Sequence, residues 1–377
     1  MNFLNDKILI NQIDNVAISG LTTQLISFCV NDIYKRNNKN ILIVTNSLYE
    51  ANIYYSSISK LNNNVYLFPM DDFLTSESLA ISPELKSIRV NTLNELSENN
   101  HNIVITNLMG FLRYLPSKEL FKSKYIKLKT NNDYKFEDLI NKLYELGYEK
   151  EVIVTKSGQM AIRGFVLDVF PINETKPIRL EFWGDTLDAI KSFSLDSQLT
   201  ICKLQEITIM PNTEFLSEKC ILKEKQRELV DYTNVVNITD YCNDLVIYIN
   251  SEDLNIGNKN LNEEIVNYCL DNSLKIEKPF MNNFLCYNYD INLSDFGQGR
   301  LFNSNEINIK YEDLEKNLSS SKTYIICLGS RYQANNILEV ITNKNKVFTN
   351  EEQIFPNYVN VIVKKIDEGF TIDDLVV

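Results

Sequence analysis

The sequence predicts an α/β protein. A parallel-sheet domain with a degenerate P-loop-like turn near its start carries an inserted α+β domain, and a small α/β domain follows. Three observations predict this. Short, continuous apolar runs alternate with helix signals at both ends of the chain. A middle stretch instead strings strand-like runs at hairpin spacing. With 377 residues and 44% hydrophobic content, the chain is long and apolar enough to bury several cores.

The elements follow in order. A strand-like run at Val16–Ile18 leads through Ser19–Leu25 (SGLTTQL) into a helix over Leu25–Tyr34. Ile41–Thr45 (ILIVT) is a β-branched apolar strand. Ser47 then caps a helix reading SLYEANIYYSSISKL, whose apolar positions recur at helical spacing. Val65–Phe68 (VYLF) is the next strand, closed by the turn PMDD. Ser82-Pro83-Glu84 is a helix start: Ser as cap, Pro at the first position, Glu near the positive end of the helix dipole. Ile103–Thr106 (IVIT) completes a set of strands that are apolar throughout. That is the pattern of a parallel sheet covered on both faces, assigned to residues 1–118.

The pattern changes after Leu115-Pro116-Ser117. Residues 136–147 read as one helix ending at Gly147. Strands are expected at Val152–Thr155, Gly164–Phe170 and Ile178–Phe182, with Asn173–Pro177 as a polar turn. Residues 119–205 are therefore an inserted α+β domain. From 206 to 318 the alternation resumes, with a strand at Leu245–Ile249 and a helix at Leu261–Leu270. Residues 319–377 form the small α/β domain: strand Tyr324–Leu328, a helix from Ser330, then Val359–Val363 and Leu375–Val377. The strand-like ending, with no polar tail, has the look of an excised piece or of an N-terminal part of something longer.

Charge and composition exclude several functions. The net charge is −12, but residues 119–205 hold 13 basic and 13 acidic residues, so the flanks carry the whole excess. Acidic flanks oppose sequence-independent DNA binding by this chain. No run of about 18 apolar residues occurs, so no membrane span is expected. The start MNFLNDKILINQ lacks the features of a signal peptide, and the expected compartment is the cytoplasm. Seven cysteines (29, 202, 220, 242, 269, 286, 327) stand singly, and His101 is the only histidine. A zinc site needs clustered ligands, so no metal is expected. The thiols are expected to be reduced.

Nucleotide and acid–base chemistry also lack their residues. Ser19–Leu25 lies where a phosphate loop would, between strand and helix. Only Gly20 fits. Thr22 stands where the second glycine is needed, Thr23 where the lysine is needed, and Gln24 where a hydroxyl would hold magnesium. No bound nucleotide or other cofactor is expected. His101, beside Asn99-Asn100, is expected at the surface. Asp168, Glu174, Glu181, Asp185 and Asp188 are expected to be solvated or ion-paired, and Asp71-Asp72 has no companion cluster at metal-site spacing. No catalytic residue is assigned.

The run from Gly158 to Ile190 is different. It places Arg163, Arg179 and the only tryptophan, Trp183, on neighbouring strand-like segments. Alternation puts Arg179, Glu181 and Trp183 in one row. Arg and Trp dominate protein–protein binding energy. The opposite arrangement, with Trp183 in the core and the arginines paired to Glu181 or Asp185, remains open at this point.

The residues GQMAIRGFVLDVFP and IRLEFWGDTLDAIKSFSLDSQ resemble the inserted second domain shared by the excision-repair protein UvrB and the transcription-repair coupling factors (Mfd). Upstream, NILIVTNSLYEAN, VYLFPMDDF and ISPELKSIRVNTLNEL resemble the first domain of the coupling factors, and SSSKTYIICLGSRYQANNILEVI with DEGFTIDDLVV resembles their third. The resemblance implies that residues 1–118 and 206–318 are the two halves of a UvrB-like first domain. It implies UvrA as the partner of residues 119–205, through Arg163, Arg179, Glu181 and Trp183. Ala161 stands where UvrB has a further arginine, as it does in the coupling factors. The ATP-dependent translocase, with its Mg²⁺, and the contacts to RNA polymerase and DNA are implied to lie beyond Val377. A fragment of a UvrB-like ATP-dependent repair subunit is the alternative.

Overall fold

The computed structural model describes residues 18–36, 39–71, 82–216, 235–242, 244–271, 300–301, 304–307, 309, 313–319, 321–342, 345–351 and 353–377. Most of the strand-like run Val16–Ile18, and Asp72 of the PMDD turn, lie outside these residues.

The chain begins with β1 (Ile18–Ser19) and α1 (Thr23–Arg36), then β2 (Ile41–Thr45), α2 (Leu48–Ser59), β3 (Val65–Phe68), α3 (Pro83–Glu98), β4 (Ile103–Asn107) and the short α4 (Leu108–Phe111). Ser47 caps α2 by accepting from the Glu50 amide, and Ser82 caps α3 ahead of Pro83. The strands form a four-stranded parallel sheet completed by a strand from much later in the chain, β15 (Leu245–Tyr248), in the order β15-β2-β4-β3. Every residue of β2 and β4 is buried, which explains why both read as unbroken apolar runs. Ile41, Ile43, Ile103 and Ile105 face Leu25, Phe28, Ala51 and Ile58 of α1 and α2. Leu42, Val44 and Val104 face Leu93, Leu96, Leu108 and Phe111 of α3 and α4.

After β5 (Leu115–Pro116) and α5 (Lys118–Ser123), the chain enters the insertion on β6 (Ile126–Lys129) and leaves it on β13 (Glu206–Ile209), which pair antiparallel. Between them lie α6 (Phe136–Glu145), β7 (Glu149–Lys150), β8 (Gln159–Arg163), β9 (Val166–Val169), β10 (Ile178–Trp183), β11 (Thr186–Phe193) and β12 (Thr200–Leu204). The strands make one six-stranded sheet, β12-β11-β10-β9-β8-β7. Its inner face (Met160, Leu167, Val169, Ile178, Leu180, Phe182, Leu187, Ile190) packs with Leu139 and Leu143 of α6.

The insertion is locked to the first sheet by a buried charge cluster that the sequence did not reveal. Glu214, just past β13, accepts from Arg89 Nε and Nη2 on α3 and from Arg113 Nε (3.0 Å) and Nη2 (2.7 Å). All three side chains are essentially inaccessible to solvent. Burial alone would raise the Glu214 pKa, but Arg113 and Arg89 hold it down to about 2.

The chain returns through β14 (Val235–Val236), α7 (Ile238–Tyr241), β15 and α8 (Ser251–Asp271) to β16 (Arg300–Leu301), which pairs with β1. The last unit holds β17 (Ser304–Ile307), α9 (Leu314–Asn317), β18 (Thr323–Leu328), α10 (Arg331–Val340), β19 (Lys346–Phe348), β20 (Val359–Val363), β21 (Gly369–Ile372) and β22 (Leu375–Val376). Its sheet runs β17-β21-β22-β18-β20-β19, and thus takes in Ser304–Ile307, ahead of residue 319. Phe370 meets Phe28 of α1, with ring centroids 5.9 Å apart.

Four expectations are corrected. Val152–Thr155 is not a strand; Val154 folds over Ala161 and Phe170 as a covering loop. The expected strand Gly164–Phe170 is a turn at Gly164–Phe165 followed by β9, with β8 before the turn. Leu261–Leu270 is the second half of the longer helix α8. His101 is half-buried rather than surface-exposed: its ring stacks on Tyr34 at 3.8 Å and its Nε2 lies 3.1 Å from the Tyr34 carbonyl oxygen.

Candidate functional site

The candidate site is the outer face and one end of the six-stranded sheet. The end is built by two adjacent hairpins with the same turn chemistry. Arg163-Gly164-Phe165-Val166 joins β8 to β9, and Trp183-Gly184-Asp185-Thr186 joins β10 to β11. In each the first central residue is a glycine at positive φ, +59° at Gly164 and +62° at Gly184. The following residue has negative φ, which is the pattern of a type II′ turn and matches the twist of the flanking strands. The Phe182 amide donates to the Phe165 carbonyl at 2.9 Å, tying the two hairpins together at this end. The second tip is held from below, where Thr186 Oγ1 donates to Asp133 Oδ1 at 2.6 Å.

Arg163 on β8 and Arg179 on β10 do not sit on directly paired strands; β9 lies between them. They still share a face. Arg163 is opposite Val166, Val166 is opposite Glu181, and Asp168 is opposite both Ala161 and Arg179. Arg163, Arg179, Glu181 and Trp183 therefore all project from the outer face.

Their environments differ. Trp183 is 86% exposed, so the one indole of the chain is outside the core. Arg163 is exposed and has no ion-pair partner among the described residues. Arg179 is committed. Its Nε and Nη2 form a bidentate pair with Asp168 (2.7 and 2.9 Å), and its guanidinium lies 4.5 Å from the Phe193 ring centroid. Its hydrogen bonds to the Asp168 carboxylate push the Arg179 pKa up further. Glu181 accepts from Lys191 Nζ at 2.5 Å. The alternative left open by the sequence thus holds for Arg179, with Asp168 as its partner rather than Glu181 or Asp185, and fails for Trp183 and Arg163.

Ala161 lies under Val154 and Phe170, so a longer side chain there would have to displace the covering loop. Phe165, Asp168 and Lys191 join the site without having been assigned to it from sequence. Phe165 had a partial signal, since Gly followed by one residue between two strand-like runs fits a two-residue hairpin turn, but the apolar run around it hides the break.

The degenerate turn is elsewhere and already engaged. The Thr22 amide donates to Ser304 Oγ at 3.0 Å, and that hydroxyl donates to the Gly20 carbonyl. The Gln24 side-chain oxygen accepts from the Asp367 amide (3.0 Å) and from Ser57 Oγ (3.3 Å). Thr23 opens α1 between them. Among the described residues no group of three or more His, Cys, Asp or Glu could hold a metal ion, and no helix is long and apolar enough to cross a membrane.

Residues 126–215, which carry this sheet, match the family model described as the UvrB interaction domain. They contain the six-stranded sheet and both hairpin tips. More specifically, the chain is a relative of the transcription-repair-coupling factors. It is 29% identical over 217 residues to the one from Staphylococcus haemolyticus, which covers 57% of this chain and 18% of the relative. It is 30% identical over 213 residues to that of Bacillus subtilis (55% and 18%) and 28% over 218 residues to that of Staphylococcus epidermidis (57% and 19%). The chain thus spans less than a fifth of the length of the curated relatives it matches.

Proposed function

We propose that this chain is a non-catalytic adaptor of nucleotide excision repair, which docks UvrA on the outer face and tip of its six-stranded sheet. The observation that carries this is an exposed tryptophan and, on the same sheet face, an exposed arginine with no ion-pair partner among the described residues, within a UvrB interaction domain. Trp183 supplies area that is desolvated only on binding, and Arg163 supplies a free fork for a partner carboxylate. Arg179 and Glu181 act as a fixed polar floor beside them, held by Asp168 and Lys191. In this reading the adaptor brings UvrA to stalled transcription complexes. RNA polymerase, DNA, ATP and Mg²⁺ belong to parts of such a protein outside this sequence, and the site of action is the cytoplasm.

The test is calorimetry of purified UvrA against this chain. Arg163→Ala and Trp183→Ala should each weaken binding by about 2 kcal/mol or more, with the melting temperature unchanged because both side chains are exposed. Unchanged affinity for both would refute the site.

A UvrB-like nucleotide hydrolase is the competing reading, and the turn argues against it. The Thr22 amide is committed to Ser304 and the Gln24 side-chain oxygen to Asp367 and Ser57, with no lysine at Thr23. Magnesium-ATP should leave the melting temperature where it is; a concentration-dependent rise would favour the hydrolase.

A further inference from the structure

We propose that the interface wraps the end of the sheet, with Phe165 as a second aromatic anchor on the side opposite Trp183. This rests on the UvrA reading above and specifies how that partner is held. Phe165 is 60% exposed at the tip of the β8–β9 hairpin, one strand pair away from Trp183 at the tip of the β10–β11 hairpin. The two rings lie on opposite faces. Along β10 the pleat sends Glu181 and Trp183 outward and Phe182 inward. Phe165 lies opposite Phe182, and both rings pack against Phe136 at the start of α6, with centroids 6.0 and 5.1 Å away. Phe165 is therefore held from one side and open on the other, a fixed ring rather than a floppy one.

Single exposed apolar residues are ordinary, but two large rings bracketing one sheet end, with an exposed arginine that has no ion-pair partner among the described residues on the same sheet, are not. Nothing lies within 4 Å of where a side chain at Gly164 or Gly184 would begin, so the tip is clear on approach. A flat partner surface could cover Trp183 or Phe165, but not both. The chemistry that fits is a cleft on UvrA with apolar walls on both sides and a carboxylate at its rim for Arg163.

The test measures the affinity of purified UvrA for this chain and for Phe165→Ala, Phe165→Leu, Trp183→Ala and Lys203→Ala. Lys203 is exposed on the edge strand β12, away from the tip. Phe165→Ala should weaken binding about tenfold, Phe165→Leu less because it keeps contact with Phe136, and Lys203→Ala should bind like the parent. Circular dichroism of each variant confirms the fold. If Trp183→Ala weakens binding and both Phe165 variants bind like the parent, the end-on geometry is wrong while the function stands. If Lys203→Ala weakens binding as much as Phe165→Ala, the interface lies along the outer face and the end-on geometry is again wrong. If UvrA does not bind the parent chain, the function itself fails.

Discussion

Replacing Glu214 by glutamine removes the carboxylate on which two buried guanidiniums close. The parent carboxylate accepts five hydrogen bonds, three from Arg89 and two from Arg113. Glutamine keeps the shape but turns one acceptor oxygen into a donor facing donors, and it removes the negative charge that the two guanidiniums share. Among the described residues Arg89 keeps the Pro69 carbonyl (3.0 Å), and the contacts Arg113 keeps include the Met70 sulfur and the Phe215 ring. Breaking a buried ion pair by removing one partner costs about 3–5 kcal/mol, a large share of the roughly 5–15 kcal/mol that holds a domain folded. The pH dependence gives a second handle. A carboxyl held at about 2 rather than 4.5 corresponds to roughly 3 kcal/mol of stabilisation. Because the folded-state value is the lower one, that stabilisation is present above about pH 4.5 and is lost as the pH falls towards 2. Urea unfolding at pH 7 should show the Gln variant weakened by about 3 kcal/mol or more. Between pH 5 and about 2.5 the parent should lose stability more steeply than the variant. A loss under about 1 kcal/mol at pH 7, or parallel acid profiles, would refute this reasoning.

Two further outcomes follow from the site. Arg179→Ala should destabilise the insertion by about 1–3 kcal/mol, because Asp168 is buried and would lose its only ion-pair partner among the described residues; loss of UvrA affinity in that variant should therefore accompany a lower melting temperature, unlike Arg163→Ala. Gly164→Ala should cost roughly 1–2 kcal/mol through its positive φ alone, since the space around it is open. Denaturant titration reads both, and a neutral Gly164→Ala would mean that the turn relaxes without cost.

How much of this was legible in the sequence depended on the distance over which each signal acts. Ser47 and Ser82 with Pro83 announced their helices because capping is local. The unbroken apolar runs at Ile41–Thr45 and Ile103–Thr106 announced a sheet buried on both faces for the same reason. The β8–β9 boundary was missed because Gly164-Phe165 sits inside an apolar run, where the Phe disguises a turn as strand. Period-two alternation placed Arg179, Glu181 and Trp183 in one row correctly, yet it could not say what lies across the ladder. Asp168 captures Arg179 only through the β9–β10 register, set by that overlooked turn. The Arg89–Arg113–Glu214 cluster was out of reach altogether: its members are 125 and 101 positions apart, and buried arginines look like surface ones in a string of letters. Trp183 was found by its residue type, but its exposure needed the structure.

The single tryptophan lets burial of this indole against UvrA be read on its own. The chain grown with 5-fluorotryptophan should give one fluorine resonance, with the shift and solvent-isotope sensitivity of an exposed indole. Adding unlabelled UvrA should move or broaden that resonance and reduce its solvent sensitivity as the ring is covered. A resonance that stays sharp and unshifted in a sample where UvrA and this chain demonstrably co-elute would place Trp183 outside the interface.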